Sequence, residues 1–356
     1  MIDFLVIGGG IAGVSAAARL AELGSVTLLE RETALAYHAS GRSAAMFEEN
    51  YGAPSVRALN HASRAGHEAA GVLSPRGVMV ISGPETAEAF DQDCIDLGLS
   101  RITVAEALAK VPILDADRID RAALHVEAED LDTDKLVQTY VKALRTADGQ
   151  VVTGAEVTAI RRTDQGWAVT AGETYDARCI VNAAGAWADE VAVLAGLPPI
   201  GLQPLRRSMA RIPAPGGHDV SAWPMFFGPG ETWYAKPDAG ALLVSPADED
   251  PQAPFDAWPD DMVLAEGLDR YSQYVTEPVE RLLASWAGLR TFAPDRTLVL
   301  GPAPQDPTFI WCAGQGGYGF QTAPGASQLV ADLVAGRAPD IGADMAAALS
   351  PARFAT

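Results

Sequence analysis

The stretch FLVIGGGIAG, residues 4–13, decides the fold of this chain. Its apolar residues predict a short strand, and the run rich in Ala and Leu at 11–23 predicts a helix that Gly24 ends. A second strand is predicted at 26–29. Such a β-α-β unit closes with a right-handed crossover into a parallel sheet. The sequence therefore predicts an α/β, Rossmann-like domain at this end of the chain.

The glycines between the first strand and the helix have the G-x-G-x-x-G spacing of a dinucleotide site. Gly8 makes the tight turn, Gly10 lets a pyrophosphate approach the backbone, and Gly13 lets helix and strand pack closely. The helix N-terminus offers N–H groups and a positive dipole to the phosphates. Glu30, at the end of the second strand, is placed to accept hydrogen bonds from ribose hydroxyls, which argues against a 2′-phosphate. The motif predicts FAD or NAD without deciding between them.

The composition indicates more than one small core and an acidic surface. The chain has 356 residues, of which 48% are hydrophobic, and this is enough for two intertwined domains. Lys and Arg number 26 against 46 Asp and Glu, a net charge of −20. A surface this acidic repels phosphate backbones and anionic headgroups, so no nucleic-acid partner is expected.

The cysteines and the apolar runs bear on the cellular compartment. Cys94, Cys179 and Cys312 are far apart and form no C-x-x-C pair, which favours buried, reduced thiols over disulfides. The chain opens MIDFLVIGGG, without the basic and apolar regions of a signal peptide. No apolar run reaches the ~18 residues that a spanning helix needs. We therefore expect a soluble, cytoplasmic protein without a transmembrane segment.

The rest of the pattern alternates between two domains. Further helices are predicted at 57–70, 85–97, 104–111, 132–145 and 323–335, and further strands at 77–82, 150–153, 156–161, 166–170, 174–177 and 179–182. A hairpin is predicted at 232–245, between Pro- and Gly-rich linkers at 211–224 and 246–261. We predict a dinucleotide-binding domain of residues 1–76, 127–200 and 286–356. Residues 77–126 and 201–285 are predicted to form an α+β substrate domain built on an antiparallel sheet.

Several short stretches carry a resemblance to a known family. They lie in order along residues 5–322 and read LVIGGGIAG, YHASGRSAA, YGAPSVRAL, DLDTDKL, VNAAGAWAD, GLQPLRRS, WYAKPDAG, WAGLRTF and GQGGYGFQT. Together they resemble the FAD-dependent D-amino acid oxidase superfamily, and within it the bacterial D-arginine and other D-amino acid dehydrogenases. The resemblance implies an FAD-binding domain of the GR2 (DAO) type. It also implies noncovalently bound FAD, because no Cys or His linkage of the family type is recognised.

The resemblance implies a set of residues for FAD. In such enzymes the segment matching His38 to Ala45 runs under the flavin, and the residue matching Val157 lies at the adenine. The Gly-rich run at 314–322, before an Ala-rich helix, suits the negative charge that reduced flavin carries near N1 and O2. The implied residues are Gly8, Gly10, Ile11, Ala12, Gly13, Glu30, Arg31, Ser40, Gly41, Arg42, Ser43, Ala45, Val157, Ala183, Ala184, Gly185, Trp187, Gly316, Tyr318, Gly319, Phe320, Gln321 and Thr322.

The resemblance also implies a substrate site. An α-amino acid needs its carboxylate held, and the planar fork of an arginine pairs with both oxygens. Arg290 matches the family's carboxylate arginine, and either Arg206 or Arg207 is a second one, because the sequence leaves the strand register open. Tyr51 and Tyr234 match residues that close on the substrate. The implied pocket residues are Met46, Glu48, Val78, Met225, Phe227, Gly317 and Gln321.

Three pocket positions depart from the D-arginine dehydrogenases. Val78 stands where those enzymes have the glutamate that binds the guanidinium, Met46 replaces an active-site histidine, and Glu48 replaces a threonine. The lost acid argues against D-arginine, whereas Glu48 either restores recognition of cations or faces solvent. We therefore expect apolar or small D-amino acids, or another primary or secondary amine.

The implied chemistry needs few ionisable groups. The arginines fix the carboxylate and present the Cα hydrogen to flavin N5, and the neutral amine drives hydride transfer to an imine that water hydrolyses to a 2-oxo acid and ammonia. The histidines show no metal spacing, and no hydrolase or kinase motif is present. Alternatives that stay open are oxidation of an N-methyl amino acid (sarcosine or glycine oxidase-like), oxidation of a 2-hydroxy acid, and a flavoprotein without activity. The electron acceptor, oxygen or a quinone, also stays open.

Overall fold

Three β-sheets and the helices around them make up the computed structural model, which describes residues 1–355. The strands are β1 (Ile2–Ile7), β2 (Val26–Leu29), β3 (Met46–Phe47), β4 (Leu73–Pro75), β5 (Val78–Ser82), β6 (Ser100–Ile102), β7 (Arg121–His125), β8 (Glu129–Leu131), β9 (Gln150–Val152), β10 (Ala159–Thr163), β11 (Gly166–Ala171), β12 (Glu173–Asn182), β13 (Gln203–Pro213), β14 (Met225–Phe227), β15 (Tyr234–Asp238), β16 (Ala241–Ser245), β17 (Asp250–Pro251), β18 (Ala284–Phe292), β19 (Val299–Pro302) and β20 (Phe309–Ala313). The α-helices are α1 (Ile11–Leu20), α2 (Pro54–Ala70), α3 (Ala87–Asp96), α4 (Val104–Lys110), α5 (Thr133–Thr146), α6 (Ala188–Leu194), α7 (Asp261–Ser272), α8 (Gly319–Ala335) and α9 (Ala343–Leu349).

The predicted β-α-β unit is present at the start of the chain. β1 and β2 pair in parallel, and α1 connects them. The helix ends at Leu20, earlier than predicted, because the N–H groups of Leu23 and Gly24 both donate to the Leu20 carbonyl and form a turn. The side chains of α1 that face the sheet are small or aliphatic, so the helix packs closely on it.

The first large sheet has eight strands and a parallel centre. Its order is β10-β11-β12-β1-β2-β9, and β20 pairs with β12 and β19. β9, β2, β1, β12 and β20 run parallel, while β10, β11 and β19 are antiparallel to their neighbours. α1, α5 and α8 cover one face and α6 packs on the other. The carboxyl ends of β1 and β12 lie side by side, and ligands bind at this edge in open α/β sheets.

The second large sheet has nine strands and is almost wholly antiparallel, as predicted for the second domain. Its order is β17-β13-β16-β15-β14-β5-β7-β6, with β18 on β13, and only β14 and β5 pair in parallel. The predicted hairpin is formed by β15 and β16 and turns at Ala239 and Gly240, which both have positive φ. The predicted domain boundary at 286 falls inside β18. Since β18 pairs along its whole length with β13, it belongs to this sheet rather than to the parallel one.

Other boundaries also differ from the sequence expectations. The strand predicted at 156–161 lies at Ala159–Thr163, and the helix predicted at 85–97 is a short 3-10 turn followed by α3. Both predicted linkers contain strand: β13 runs to Pro213, and β17 lies within 246–261. The small sheet of β3, β8 and β4 was not predicted, because its strands have only two or three residues each. α5 begins after Asp132, whose carboxylate accepts the Lys135 N–H at 2.9 Å and caps the helix.

Two expectations about the whole chain can be compared with the structure. No helix within residues 1–355 is both long and apolar enough to cross a membrane. All three cysteines are free thiols, but only Cys312 is buried as expected, whereas Cys94 and Cys179 are partly exposed. Burial raises the pKa of the Cys312 thiol to about 12, so this residue is an inert part of the core.

Candidate active site

The glycine-rich turn after β1 is packed so tightly that side chains are excluded. Gly8 has φ +109°, and a Cβ there would lie 2.3 Å from the Ala183 carbonyl oxygen. A Cβ on Gly13 would lie 1.8 Å from the carbonyl oxygen of Gly8. The Gly9 N–H donates to Glu30 at 2.6 Å, which ties the turn to the end of β2. The turn thus has the close helix–strand packing that the spacing predicted.

Two adjoining cavities open at the carboxyl edge of the parallel sheet. The larger cavity measures about 240 Å³ and the smaller about 180 Å³, and both are lined by Gly10, Ser40, Gly185 and Gly288. The larger cavity lies between the parallel sheet and the antiparallel sheet, while the smaller one lies beside the end of β2. Because they share these lining residues, the two cavities adjoin along one cleft.

Most of the predicted site residues line this cleft. Those on the larger cavity are Gly10, Ile11, Ala12, Ser40, Arg42, Ser43, Ala45, Met46, Glu48, Tyr51, Val78, Ala183, Gly185, Arg207, Met225, Phe227, Tyr234, Arg290, Gly316, Gly317, Gly319, Phe320 and Gln321. The smaller cavity adds Gly8, Glu30, Arg31, Val157, Ala184 and Trp187.

Five predicted residues lie outside the lining of both cavities. Gly13 packs against Gly8, and Gly41 sits in a tight turn where a Cβ would meet the Ala36 carbonyl oxygen at 2.3 Å. Tyr318 stacks behind Tyr51, with ring centroids 5.3 Å apart, and Thr322 is fully buried with its hydroxyl donating to the Tyr318 carbonyl at 2.8 Å. Arg206 points away from the cleft. The two glycines, Tyr318 and Thr322 therefore pack against the residues that line the cleft without lining it themselves.

Two helix N-termini face the larger cavity. Neither α1 nor α8 has a side-chain cap, and the residues at each start, Ile11 and Gly319, line the cavity. The Ile11 N–H donates to the Ser40 hydroxyl at 3.0 Å, so the first N–H of α1 already has an acceptor and the N–H groups that follow it are the ones left for a ligand. Uncapped N–H groups and the positive ends of two helices favour a negatively charged ligand here.

Of the two candidates for the second arginine, Arg207 is the one that lines the larger cavity. It is 8% exposed and lines the larger cavity, whereas Arg206 donates to Asp248 at 3.2 Å and Asp250 at 2.6 Å on the opposite side of β13. Successive residues of a strand face opposite sides, and the pairing of β13 with β18 sets which side is which. Arg206, one of the two sequence candidates, is therefore a structural ion-pair residue.

Arg290 is one of the charged residues that line the larger cavity. Within residues 1–355 its guanidinium forms neither a hydrogen bond nor an ion pair. Burial works to lower its pKa, but nearby Tyr234, Tyr51 and Glu231 outweigh this and raise the pKa above its usual value. A charged guanidinium without a protein partner, facing a cavity, is a binding site for an anion.

Two tyrosines and a glutamate complete the polar part of the cavity. The Tyr51 hydroxyl donates to Glu231 at 3.1 Å, across the cavity wall. Burial, and after it the charge of Glu231, raises the pKa of Tyr51 far above its ordinary value, so its hydroxyl stays protonated. Tyr234 is 5% exposed and lies on the same cavity. The Tyr51 phenol is therefore a hydrogen-bonding group and not a base.

Glu48 does not face solvent, which was one of the two expectations for it. It is 7% exposed, and His125 Nδ1 lies 2.6 Å from its Oε2 while the Asn50 N–H donates to its Oε1 at 3.0 Å. Both carboxylate oxygens are thus engaged by the protein. The wall beside it is apolar and contains Met46, Val78, Leu97, Met209, Met225 and Phe227.

Three buried polar atoms on the larger cavity have no partner within residues 1–355. They are Arg207 Nη1, Thr291 Oγ1 and Gln321 Nε2. Buried polar groups are nearly always hydrogen-bonded, because an unpaired one costs the full penalty of its lost water. Unpaired polar atoms on three residues that line one cavity favour a ligand with polar groups there.

Part of the predicted linker at 246–261 closes the smaller cavity. Phe255 and Ala257 line it, and Asp256 between them accepts a hydrogen bond from Arg42. Arg42 also donates to the Ala257 carbonyl at 2.8 Å, and the Tyr37 hydroxyl lies 3.4 Å from Asp256. The hydrogen bond from Arg42 holds the pKa of Asp256 below its usual value. We refer to residues 255–257 as the strap.

Sequence reasoning missed several residues of the cavity. Met209 lies two positions after Arg207 on β13, so strand alternation would have found it once the facing arginine was known. Glu231 follows a Gly-Pro-Gly turn and carries no pattern of its own. Thr291 follows Arg290 directly on β18. Because successive residues of a strand face opposite sides, the sequence predicts that Thr291 lies away from the cavity that Arg290 lines. Lys236, 9% exposed, was also missed, although it donates to the Ala45 carbonyl at 3.0 Å and supports the wall.

Comparison with known proteins gives the family. The sequence model of the family described as FAD dependent oxidoreductase matches residues 3–333. A D-amino acid dehydrogenase of Xanthobacter autotrophicus is 44% identical over 70 residues, which are 20% of this chain and 16% of that protein. The hydrogen cyanide synthase subunit HcnC of Pseudomonas aeruginosa is 26% identical over 191 residues, 51% of this chain and 43% of that protein. The chain thus spans less than half the length of these curated relatives.

Solved structures share the fold over nearly the whole chain. Glycine oxidase from Geobacillus kaustophilus has a TM-score of 0.84 at 23% identity, covering 99% of this chain and 98% of its own. L-proline dehydrogenase from P. horikoshii has a TM-score of 0.83 at 20% identity, covering 99% and 97%. L-amino acid deaminase from Proteus vulgaris has a TM-score of 0.80 at 16% identity, covering 99% and 97%. At these identities the likeness concerns the fold alone.

Proposed function

This chain belongs to the FAD dependent oxidoreductase family, and from that premise we propose that it catalyses the oxidative deamination of D-amino acids to 2-oxo acids and ammonia. FAD is its cofactor. One observation carries the proposal: the guanidinium of Arg290 has no protein partner in residues 1–355 and faces a cavity with apolar walls. A carboxylate on a small molecule is the ligand that satisfies such a group.

The cleft fits FAD. The packing of Gly8 and Gly13 leaves bare backbone where a pyrophosphate approaches, and the uncapped start of α1 favours its charge. Glu30 is buried at the end of β2, and its two oxygens accept the N–H groups of Gly9 and Glu32, so it would use its remaining lone pairs to accept from the ribose hydroxyls. The strap lines the same cavity. The start of α8 favours negative charge on the ring system. Bound FAD supplies the hydride acceptor, and everything else is done by the chain's own residues.

The carboxylate of the substrate is assigned to Arg290 and Arg207. The Arg290 guanidinium has no protein partner, so it can pair with both oxygens of a carboxylate. Arg207 has only Nη1 without a partner, so it can donate from that one nitrogen. Gly317 lies against the Arg290 guanidinium, and the absence of a side chain there leaves it room. Holding the carboxylate in this way fixes the position of the Cα hydrogen, which is the main requirement for hydride transfer.

The side chain of the substrate is proposed to be apolar. The wall that lies beside the arginines contains three methionines, a valine, a leucine and a phenylalanine. Methionine side chains are flexible and adapt to different apolar shapes. Glu48, the acid that could have selected a cation, already has both oxygens engaged by His125 and the Asn50 N–H. The arrangement supports D-amino acids with medium-sized apolar side chains.

The chemistry requires no catalytic acid or base on the protein. The amine must be neutral when the hydride leaves, and the imine that forms is hydrolysed by water. Tyr51 is held protonated by burial and hydrogen-bonds Glu231, so it closes the cavity and excludes water without exchanging a proton. Preference for the D-form is supported by the short match to D-amino acid dehydrogenases, and an N-methyl amino acid or a 2-hydroxy acid would use the same arginines.

The proposal is tested by anaerobic reduction of the purified holoprotein. D- and L-amino acids, N-methyl amino acids and 2-hydroxy acids are mixed with it one at a time, and loss of flavin absorbance is followed. We expect D-leucine or D-methionine to reduce the flavin and release ammonia, and their L-forms to leave it oxidised. Release of formaldehyde or methylamine would favour an N-methyl amino acid as the substrate. Reduction of the flavin by 2-hydroxy acids and by none of the amines would contradict the proposed oxidation of an amine.

The electron acceptor has a readout of its own. The reduced protein is exposed to air or to a soluble quinone, and the faster reoxidation identifies the acceptor. We also propose a cytoplasmic location, because the three cysteines are unpaired thiols in the structure. A variant with Arg290→Met is the control for the first experiment: it should retain FAD and resist reduction by every carboxylate-bearing substrate.

A further inference from the structure

The guanidinium of Arg207 is held in one orientation by the segment that follows β16. Its Nε donates to the Asp248 carbonyl at 2.9 Å, and its Nη2 donates to Glu249 Oε1 at 3.2 Å. Nη1 is buried and has no partner in residues 1–355. Two of its three nitrogens are thus fixed by the protein, and the third, Nη1, is left without a partner on a residue that lines the larger cavity.

Glu249 is itself held from a second direction. Arg296, in the loop between β18 and β19, donates to both carboxylate oxygens of Glu249, at 2.9 and 3.0 Å. The Arg296 guanidinium also lies over the ring of Phe292, with its central carbon 4.0 Å from the ring centroid. The position of Glu249 is therefore set by Arg296 and does not depend on Arg207 alone.

We propose that Glu249 is a positioning residue, which turns Arg207 so that Nη1 alone meets the carboxylate of the ligand. The inference rests on the proposed function, because it assigns that carboxylate to Arg207 and Arg290. Without Glu249, Nη2 loses its fixed acceptor and the guanidinium can turn about the remaining bond to the Asp248 carbonyl. Binding a carboxylate then requires the side chain to be ordered first, which weakens affinity.

A simple charge effect predicts the opposite result. Glu249 is negative and lies behind a cation that binds an anion, so removing its charge should strengthen anion binding if orientation does not matter. The sign of the change in affinity therefore separates the two explanations. Because the Glu249–Arg296 pair is partly exposed, its loss should change folding stability little.

The neighbouring acid provides a matched control. Asp250 lies next to Glu249, and its Oδ2 accepts a hydrogen bond from Arg206 at 2.6 Å, on the side of β13 that faces away from the cleft. Asp250→Asn removes the same charge from the same segment and leaves Arg207 untouched. Glu249→Ala removes the acceptor altogether, whereas Glu249→Gln keeps an acceptor oxygen and removes only the charge.

The test is binding of propionate to the oxidised holoprotein, measured by isothermal titration calorimetry. We expect Glu249→Ala to raise the Kd for propionate about tenfold, the value of one charge-assisted hydrogen bond, with Glu249→Gln in between and Asp250→Asn unchanged. In turnover, the alanine variant should raise KM with kcat nearly unchanged. FAD content and Tm should match those of the Asp250→Asn protein.

Each other outcome has a definite meaning. Propionate binding that is unchanged or tighter in Glu249→Ala would overturn the positioning role and leave only charge. A wild-type protein that binds no propionate would also overturn it, since no carboxylate clamp would exist to be positioned. A wild-type protein that binds propionate but whose flavin no amino acid reduces would refute the proposed function while leaving the role of Glu249 to be decided by the variants.

Discussion

The guanidinium of Arg290 lies so close to Gly317 that a Cβ at position 317 would come within 2.9 Å of Nη1. The overlapping atom is the end of a flexible side chain, so the clash is relieved by moving the guanidinium and not the backbone. The absence of a side chain at 317 is therefore what allows Arg290 to occupy its place on the cavity.

Gly317→Ala should displace Arg290 without unfolding the site. Loss of a charge-assisted pair with the substrate carboxylate would raise KM by about 10- to 100-fold, measured in steady-state turnover with the best D-amino acid. FAD content should stay at the wild-type level. If the effect acts through Arg290, the substitution should add little to the loss in an Arg290→Met background, because the two changes remove one interaction. Additive losses would show that Gly317 acts elsewhere.

The neighbouring arginines of β13 form a natural pair for a second prediction. Arg207→Lys replaces a planar fork on the cavity by a single ammonium, and KM should rise about tenfold. Arg206→Lys breaks contacts to Asp248 and Asp250 on the other side of the strand, so KM should not change. The free energy of unfolding should instead fall by about 2 kcal/mol, measured by urea denaturation. A KM effect in the Arg206 variant would contradict the assignment of the facing side.

Two glutamates on the cavity should differ in their effect on selectivity. Glu48→Gln removes a carboxylate that His125 and the Asn50 N–H already engage, so the ratio of kcat/KM for D-lysine and D-leucine should stay constant. Glu231 accepts only from Tyr51 among residues 1–355, and its other oxygen is available to the ligand. Glu231→Gln should therefore lower kcat/KM for D-lysine more than for D-leucine. If the ratio of kcat/KM for D-lysine and D-leucine changes equally in the two variants, neither glutamate contacts the side chain of the substrate selectively.

The strap should control how long FAD stays bound. Asp256→Asn weakens the contact to Arg42, although Arg42 keeps its bond to the Ala257 carbonyl. We expect the rate of FAD release to rise about three- to tenfold, since a partly exposed pair contributes modestly. The release of FAD is followed by the change in flavin fluorescence after the holoprotein is diluted. Asp219→Asn, at an exposed turn far from the cleft, is the control and should release FAD at the wild-type rate.

Asp93 should make the stability of the protein depend on pH. Burial raises its pKa to about 6, helped by the charges of Glu231 and Asp96, while the N–H of Gly230 opposes the shift. The folded-state pKa lies above the unfolded one, so its contribution is favourable below about pH 4 and is lost as the pH rises to about 6. Asp93→Asn keeps an acceptor for Gly230. It should raise the free energy of unfolding by about 1 kcal/mol at pH 8, a discounted value for a half-exposed group, and leave it unchanged at pH 4.

That prediction is checked by urea denaturation at the two pH values. A gain of the same size at pH 4 and pH 8 would show that the asparagine acts through packing and not through the titration of Asp93. A loss at both would show that the hydrogen bond to Gly230 needs the carboxylate.

Local features of the chain could be predicted because their causes are local. Part of the glycine-rich turn follows from a local contact, since a side chain at Gly13 would meet the carbonyl oxygen of Gly8 at 1.8 Å, whereas a side chain at Gly8 would meet the backbone of the distant Ala183 at 2.3 Å. The cap of α5 and the turn between β15 and β16 also follow from local contacts. These features recur wherever the same residues occur in order, so the β-α-β unit and the dinucleotide edge were readable from the sequence.

The substrate side of the cleft depended on contacts between distant segments. Whether Arg206 or Arg207 faces the cavity is set by the pairing of β13 with β18, about eighty residues further along the chain in sequence. Glu48 meets His125, and Arg42 meets Asp256, only because separate segments fold against each other. No short-range pattern marks such partners.

The sequence by itself thus determined the parallel sheet, its glycine-rich edge and the family to which the resemblance pointed. Only the tertiary structure decided which arginine lines the larger cavity, which acid is engaged by the protein and which segment lines the smaller cavity. The physical reason is the range of the forces involved. Steric exclusion and backbone hydrogen bonding act between near neighbours, whereas strand register and ion pairing across a cleft are decided by the packing of the whole chain.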